Sequence, residues 1–313
     1  MLALLAALGA VAPAASAQPT VTPARPFSPD SFWNAPLGSG APIDPDSPGL
    51  VADLVDQVRR YGPWINTYQY SSPVYRVPAG QPRVKVILDT RYAPLQEGFA
   101  SVPLPANAQP ARGNDRHLVV WQPSTDSMWE FFKLQHLADG WHARWGGRMT
   151  GVSRNPGYFP APTGATATGL PLLGGLITLD EMKQGHIDHA LDICLVRTRQ
   201  SFWSWPAQRT DGWIASAAAI PEGTRFRLDP ALDLSRLRLP RVTRMIAEAA
   251  QRYGIVVRDK GGAVSFYAED PVPTGSNPYG GPGGYFQGRY PSQLLQSFPW
   301  DRLQVLKLDL HHG

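Results

Sequence analysis

Residues 117–134, HLVVWQPSTDSMWEFFKL, decide the fold class of this chain. Two apolar runs, at 117–122 and 128–134, flank a short polar run, and this pattern predicts two strands joined by a hairpin loop. On the N-terminal side, apolar side chains recur at every second position of residues 83–89, as they do along a strand. The middle of the chain is therefore predicted to form a β-sheet.

Composition extends this prediction to the rest of the chain. The 32 Pro and 30 Gly residues interrupt the sequence too often for long helices, whereas the 10 Trp and 11 Tyr residues suit pleated, half-buried strands. A single cysteine, Cys194, excludes an intramolecular disulfide, so a hydrophobic core has to stabilise the fold. We expect a mostly β protein: a single jelly-roll-like β-sandwich domain over residues 47–313 with a few short helices. Residues 18–46 should form an extended lead-in anchored by Phe32 and Trp33.

Periodicity predicts the remaining elements. Amphipathic helices are expected near 51–58 and 242–253, and each is followed by a glycine that can end it. Thr178-Leu179-Asp180-Glu181 has the spacing of a capping box that starts one helical turn. Residues 255–267 predict a hairpin around a Lys-Gly-Gly turn, and the turn-rich residues 271–290 are typical of a substrate lid or a surface insert. Further strands are predicted at 187–195, 225–228 and 303–310.

The first seventeen residues predict export. Residues 2–14 form an apolar run too short to span a bilayer, and Ala15-Ser16-Ala17 fits the small-x-small pattern at which signal peptidases cleave. We therefore expect a signal peptide over 1–17 and a protein secreted to the periplasm or the extracellular space. A buried N-terminal helix is the alternative. No later stretch has the roughly 20 apolar residues of a membrane helix, so we expect no integral membrane segment.

The charge distribution argues against a nucleic-acid partner. The net charge of +4 comes mainly from arginines scattered along the chain, whereas a nucleic-acid-binding protein would show a basic stripe or a recognisable module. We expect no nucleic-acid partner, and we expect a monomer. A polysaccharide or a cell-envelope glycan, including an anionic one, is compatible with this charge.

The predicted hairpin carries the first candidate catalytic residues. Asp115 and His117 open its first strand and Glu130 lies in the second, so carboxylate and imidazole groups could meet on one sheet face. Paired carboxylates perform acid and base chemistry at an acetal, and an imidazole transfers protons near neutral pH. Arg116 and Trp129 are candidate substrate-binding residues, because aromatic rings stack on sugar faces. The alternative is structural, with Asp115 in a turn and Glu130 on a solvated strand face.

A second group of candidates lies further along the chain. His189 is the fourth candidate catalytic residue; burial among apolar neighbours would keep its imidazole neutral and basic, unless it is simply a core residue. Trp203 and Trp205 are two positions apart, so in a strand they would face the same side and bind successive sugar rings, although core packing explains them equally well. The spacing of His186 and His189 matches no zinc signature, and we expect no metal site and no cofactor.

Several motifs follow one another along the chain: Phe32-Trp33-Asn34, Asp115-Arg116-His117, Trp129-Glu130, Gly169-Leu170-Pro171, Gly185-x-Ile187-x-His189-Ala190-Leu191, and Tyr253-Gly254 before Asp259. In this order they resemble an uncharacterised family of secreted, β-rich bacterial proteins, over most of the mature chain. The resemblance implies a compact domain similar to jelly-roll glycan-active proteins. It also implies Asp115, His117, Glu130 and His189 as the site residues.

Together these features predict a secreted carbohydrate-active enzyme that cleaves a polysaccharide, either as a glycoside hydrolase or as a polysaccharide lyase. A lyase would use His or Tyr to take a proton beside a uronate carboxylate that an Arg neutralises. A non-catalytic protein that binds a glycan or the cell envelope is the alternative, and a structural secreted protein is a third reading. Enzyme activity at the candidate residues requires that positions 117 and 189 line one water-accessible cleft.

Overall fold

The computed structural model describes residues 25–313 of the chain. The predicted signal peptide and residues 18–24 of the predicted lead-in lie outside these residues. The described chain is mostly β, as the sequence predicts, with short strands and a few helices. The strands are β1 (Pro63–Asn66), β2 (Val74–Arg76), β3 (Val86–Leu88), β4 (Leu118–Gln122), β5 (Ser127–Phe132), β6 (Gln135–Leu137), β7 (Gly140–Ala143), β8 (Trp145–Thr150), β9 (Leu191–Leu195), β10 (Thr198–Ser204), β11 (Ile220–Glu222), β12 (Arg225–Leu228), β13 (Ile255–Lys260), β14 (Val264–Tyr267), β15 (Leu303–Val305) and β16 (Leu310–His312). The helices are α1 (Ser47–Tyr61), α2 (Ala93–Gly98), α3 (Leu179–Gln184), α4 (Arg241–Arg252) and α5 (Pro291–Leu295).

Three layers of hydrophobic side chains organise these elements. The first lies between helices α1, α4 and α5 and a six-stranded sheet in the order β1-β14-β9-β13-β12-β15. The second lies between that sheet and a four-stranded sheet in the order β2-β4-β5-β8. The third packs the far face of the four-stranded sheet against the three-stranded sheet β3-β7-β6. The sheet β11-β10-β16 completes the described strands.

Strand β9 explains how the six-stranded sheet becomes buried on both faces. Its odd positions, Leu191, Ile193 and Leu195, belong to the hydrophobic layer shared with the helices, in agreement with the alternation in the sequence. Its even positions, Asp192 and Cys194, are equally buried because the second layer covers the opposite face. Both faces of β9 are therefore interior, and its alternate residues belong to two different hydrophobic layers.

The hairpin predicted from residues 117–134 is confirmed. Strands β4 and β5 pair antiparallel, with Leu118 opposite Phe131 and Val120 opposite Trp129. A short 3₁₀ turn over Pro123–Thr125 joins them. Both faces of this hairpin are buried, because hydrophobic layers lie on each side of the four-stranded sheet.

The predicted helices are also confirmed. Helix α1 ends before Gly62, and α4 ends two residues before Gly254. At α3 the Thr178 side chain accepts from the Glu181 backbone N–H, while the Glu181 carboxylate accepts from the Thr178 backbone N–H. These reciprocal bonds form the capping box, and Gly185 ends the helix at φ +90°.

Two predictions about strand pairing are wrong. Strands β13 and β14 exist, but they do not form a hairpin, because β9 lies between them in the sheet. Strand β13 is parallel to β9, and β14 is antiparallel to it. The predicted strand at 303–310 is divided into β15 and β16, which belong to different sheets.

The jelly-roll-like topology is not confirmed. A jelly roll consists of two sheets of antiparallel strands. Here the pairs β1 with β14, β9 with β13 and β2 with β4 are parallel. Parallel neighbours require long crossover connections, and the segment 205–219 connects the parallel strands β10 and β11.

The lead-in that precedes α1 contains irregular backbone over residues 25–46. Phe32 and Trp33 are buried, and the Trp33 indole N–H donates to the Gly157 carbonyl at 2.8 Å. Within the described part of the chain, no helix has the length and apolar character needed to cross a lipid bilayer.

Candidate functional site

A groove of about 760 Å³ lies along the β1 edge of the six-stranded sheet. We call it the aromatic groove and define it by Trp64, Tyr68, Tyr70, Phe286 and Tyr290, which all line it. Strand β1 and the residues that follow it line the groove, together with parts of the segments 260–267 and 271–290. The turn-rich segment is therefore part of a cavity wall.

The aromatic side chains of this groove differ in exposure: Trp64, Tyr68, Tyr70 and Tyr290 are exposed, whereas Phe286 is buried. In β1 the side chain of Ile65 is buried in the core, and the alternation of the strand leaves Trp64 38% exposed. Tyr290, which also lines the groove, is 70% exposed. Flat, exposed aromatic rings that line a concave surface can stack on the apolar faces of sugar rings.

A second cavity, of about 520 Å³, adjoins the groove. We call it the acidic cavity and define it by Asp115, His117, Asp211, Asp259 and Lys260, which line it. Asp115 and Lys260 line the aromatic groove as well. These two residues therefore mark the border at which one concave surface passes into the other.

Three carboxyl groups meet at the acidic cavity. One oxygen each of Asp211, Glu222 and Asp259 lies within 4.8 Å of the other two. Asp259 is near the end of β13, and Glu222 ends β11, which approaches β13 through the bond from the Gly223 N–H to the Val257 carbonyl at 2.8 Å. Asp211 lies on the connection after β10. Long-range strand contacts thus assemble the group.

Burial and mutual repulsion change the acidity of these carboxyls. Burial, and then the charge of Asp211, raises the pKa of Asp259 to about 7. Burial raises the pKa of Glu222 well above its ordinary value, and Asp259 and Asp211 add to this effect. Near neutral pH Asp259, which lines the cavity, therefore exists in both its protonated and its ionised form and can exchange a proton.

Hydrogen bonds fix the three carboxyls in place. The Lys260 ammonium is 2.7 Å from Asp211 Oδ2, and the Lys260 backbone N–H donates to Asp259 Oδ1 at 2.9 Å. Glu222 accepts from the Thr210 hydroxyl at 2.8 Å and from the Asp211 backbone N–H at 3.2 Å. Carboxylate oxygens at this spacing could hold a hard cation. The Lys260 ammonium, however, already supplies a positive charge to Asp211.

Asp115 and His117, both candidates from the sequence, lie together on the acidic cavity. Burial raises the pKa of Asp115, although Lys133 opposes the effect. His117 is 8% exposed, and burial, aided by the charge of Arg258, lowers its pKa to about 3. The imidazole is therefore neutral at neutral pH. Its Nδ1 is buried without a hydrogen-bond partner among residues 25–313.

Glu130 supports the wall of the acidic cavity from behind. Its side chain is fully buried, which contradicts the structural alternative of a solvated strand position. One carboxylate oxygen accepts from the Ala165 N–H at 2.6 Å, and the other accepts from the Leu172 N–H at 2.8 Å. Burial raises the pKa of Glu130 to about 7, and both N–H groups oppose this. Since Ala165 lines the cavity, Glu130 shapes the wall without reaching a substrate.

His189 lies in a different place. It lines a pocket of about 300 Å³ together with Trp33, Arg76 and Glu181, and this pocket shares no lining residue with the acidic cavity. The imidazole Nε2 is 3.0 Å from Glu181 Oε1, and Nδ1 is 2.8 Å from the Ala190 carbonyl. His117 and His189 therefore do not line one cleft, which enzyme activity shared by these two residues would require.

The pair formed by His189 and Glu181 is ionic. Burial disfavours the charge of Glu181, but the charge and hydrogen bond of His189 outweigh it and lower the pKa of Glu181 to about 2. Burial likewise disfavours the charge of His189, yet Glu181 raises its pKa. Both ring nitrogens face oxygen atoms, so the surroundings favour the imidazolium form and leave no ring nitrogen free to act as a base.

Trp129 and Arg116, two of the predicted substrate-binding residues, lie outside the acidic cavity. Trp129 is 1% exposed, with the guanidinium carbons of Arg83 and Arg148 at 5.5 and 5.6 Å from its ring. Its faces are therefore closed to a sugar ring. Arg116 is exposed, donates to Gln135 Oε1 at 3.0 Å and borders a separate shallow pocket.

Trp203 and Trp205 contact different partners. Trp203 stacks on His311 of β16, with ring centroids 6.1 Å apart. Trp205 follows β10, is 43% exposed and packs edge-on against Phe32 at 5.2 Å. Neither lines the aromatic groove or the acidic cavity.

Sequence reasoning missed Asp211, Glu222 and Asp259. In the sequence each is a single carboxylate in a turn-rich or very short segment, with no spacing that links it to the others. The one available signal was the Tyr253-Gly254 motif before Asp259. No protein-family model matches this chain, and neither the curated proteins nor the solved structures contain a significant match to it.

Proposed function

We propose that this protein is a carbohydrate-active enzyme that cleaves a polysaccharide bound along the aromatic groove. The observation that carries the proposal is the junction of the two cavities at Asp115 and Lys260. A glycan chain needs an extended surface with aromatic rings, and its cleavage needs carboxyl groups that exchange protons near neutral pH. The two requirements are met on either side of that junction.

The shape of the surface favours a polymeric substrate. A groove of about 760 Å³ and a cavity of about 520 Å³ that adjoin each other exceed what a single sugar ring fills. Trp64 and Tyr290 both line the groove with exposed rings, so each can stack on a sugar ring of a bound chain. The acidic cavity then receives the part of the chain that extends past Lys260.

The first experiment is a screen for product. Purified protein is incubated with starch, xylan, mixed-linkage β-glucan, pectin and bacterial cell-wall polysaccharide, and new reducing ends and ultraviolet-absorbing unsaturated ends are measured. We expect new reducing ends from at least one substrate. A protein that binds one of these glycans and releases no product would contradict the enzyme proposal.

Groove variants test where the glycan binds. Replacing Trp64 or Tyr290 by Ala should weaken affinity about 3- to 10-fold, the effect of one lost aromatic stacking contact. Tyr61→Ala is the matched control, because Tyr61 is 40% exposed on α1 and lies outside the groove. Equal effects of all three variants would show that the groove is not the binding surface.

A non-catalytic glycan or cell-envelope binding protein is the second candidate function. The exposed aromatic side chains favour it as strongly as they favour an enzyme, because stacking requires no chemistry. The acidic cavity distinguishes the two, since a binding protein has no use for protonated carboxyls beside the groove. Isothermal titration combined with the product screen separates these outcomes.

We further propose that the protein is exported. The support is the apolar run at 2–14 followed by Ala15-Ser16-Ala17. Mass spectrometry of protein collected from the periplasm or the medium should give a mature chain that begins at Gln18. An intact Met1 terminus on protein retained in the cytoplasm would refute export.

A further inference from the structure

The acidic cavity contains two carboxyl groups in different electrostatic settings. Asp259 is partly buried, receives N–H groups from Ala167 and Lys260 at its two oxygens, and lies beside the fully buried Glu222. Asp211 is exposed and forms an ion pair with the Lys260 ammonium at 2.7 Å. Burial and the neighbouring carboxyls favour a neutral acid at Asp259 although the two N–H groups oppose it, whereas the Lys260 ammonium pairs with the carboxylate of Asp211.

We propose that Asp259 is the general acid and Asp211 the nucleophile of a glycoside hydrolysis that retains the configuration of the anomeric carbon. This inference rests on the proposed function and assigns its chemistry. Both side chains line the acidic cavity, where a glycan leaving the aromatic groove at Lys260 would lie. Neither residue was a candidate in the sequence.

An independent feature of the same cavity points to a ligand. His117 lines the cavity and is 8% exposed, and its Nδ1 has no hydrogen-bond partner within residues 25–313. A buried polar nitrogen without a partner carries a free-energy cost, which a ligand can remove by bonding to it. A sugar hydroxyl can supply that bond, since it both donates and accepts.

The separation of the carboxyls determines the stereochemical outcome. In retaining glycosidases the two carboxyl groups are about 5–5.5 Å apart, whereas inverting enzymes need about 6.5–9.5 Å to fit a water molecule. Oxygens of Asp211 and Asp259 lie within 4.8 Å of each other. This close approach of the two carboxyls fits the short separation of retaining enzymes better than the longer one of inverting enzymes, so it favours direct attack by Asp211.

The proposed reaction proceeds in two steps. In the first, Asp259 gives its proton to the glycosidic oxygen while Asp211 attacks the anomeric carbon; the carbon–oxygen bond breaks and a glycosyl ester of Asp211 forms. In the second, Asp259, now a carboxylate, takes a proton from water, and the water oxygen attacks the anomeric carbon. The ester breaks, Asp211 becomes a carboxylate again, and Asp259 is protonated for the next cycle.

The first test uses the anomeric configuration of the product. With a polysaccharide from the screen that the protein cleaves, proton NMR in the first minutes should show the sugar anomer with the configuration of the cleaved bond. An inverted anomer or an unsaturated end would overturn the assignment of Asp211 while leaving glycan cleavage intact. Glycan binding without any product would instead overturn the proposed function, and the assignment with it.

The second test uses variants and an external nucleophile. Asp259→Ala should lower turnover of the polysaccharide about 10²–10⁴-fold, the usual contribution of a general acid. Asp211→Gly should be inactive, and sodium azide should restore cleavage with a glycosyl azide as product. Asp301→Asn is the control, since Asp301 is exposed and lies outside the acidic cavity. An Asp211→Gly variant with normal turnover, or one that azide does not rescue, would refute the role of this residue.

A third measurement does not depend on activity. Because the charge of Asp211 raises the pKa of Asp259, Asp211→Asn should lower the pKa of Asp259, as followed by NMR titration of ¹³C-labelled carboxyl groups. The titratable and charged groups around Asp259 include Asp211, Glu222, Arg209, Arg258 and Lys260. An unchanged titration of Asp259 in the variant would show that the two carboxyls are not coupled and would contradict the assignment.

Discussion

Replacing Glu130 by Gln tests whether this residue holds the wall of the acidic cavity. The Glu130 carboxylate is fully buried and accepts two backbone N–H groups, from Ala165 at 2.6 Å and Leu172 at 2.8 Å. A glutamine offers one oxygen, so its amide nitrogen would face the second N–H donor. The substitution keeps the volume of the side chain and changes only its hydrogen bonding.

The expected loss of stability follows from the number of hydrogen bonds that a glutamine can replace. One backbone N–H is left without an acceptor, at about 1–3 kcal/mol, and the remaining bond is no longer made to a charged group, at about a further 1 kcal/mol. The free energy of unfolding should therefore fall by about 2–4 kcal/mol. For a domain of this size, this corresponds to a decrease in Tm of about 4–8 °C.

Thermal unfolding followed by circular dichroism at about pH 9, where Glu130 with its pKa of about 7 is ionised, measures this effect. Glu97→Gln is the matched control, because Glu97 is exposed on α2, and its Tm should stay within about 1 °C of the parent protein. Equal Tm values for the Glu130 and Glu97 variants would refute the assignment of Glu130 as a support of the cavity wall. In that case Glu130 would be available for another role.

Three further predictions concern stability. Because the pKa of Glu181 is lowered to about 2 from 4.5, its stabilising effect is complete above about pH 4.5 and is lost as the pH falls toward 2; Glu181→Gln should flatten this part of the curve of Tm against pH. Arg258→Leu leaves the buried carboxylate of Asp192 without its partner at 2.5 Å and should cost about 3–5 kcal/mol in urea unfolding, part of which Asp192→Asn should restore in the double variant. Gly175→Ala should lower Tm by more than a surface Gly80→Ala change, because Gly175 has φ +74° and a Cβ there would overlap the backbone of Asp192. A Glu181 variant with an unchanged pH profile, an Arg258 variant as stable as the parent, or equal Tm values for the two glycine variants would contradict the respective explanation.

Local patterns in the sequence predict the local elements of this fold well. The capping box at Thr178 and the hairpin of β4 and β5 depend on neighbouring residues, and both are present. The placement of β9 between β13 and β14 depends on a parallel pairing over some sixty positions, and no short-range pattern encodes it. For this reason the sequence predicts the strands themselves better than their order in the sheet.

The candidate site illustrates the same difference. Asp115 and His117 are close in sequence, and the structure brings them to one cavity. Asp211 and Asp259 are 48 positions apart, and only the packing of the connection after β10 against β13 brings their carboxyl oxygens within 4.8 Å. Glu130 was a reasonable candidate by residue type. The loop that covers it, however, converts its carboxylate into an acceptor for backbone N–H groups.

A crystal structure of Asp259→Asn with an oligosaccharide from a polysaccharide that the parent protein cleaves tests the central claim most directly. We expect sugar rings stacked on Trp64 and Tyr290, with a glycosidic oxygen within hydrogen-bonding distance of the side chain at position 259. An oligosaccharide bound instead in the pocket of His189, or against Trp205, would contradict it.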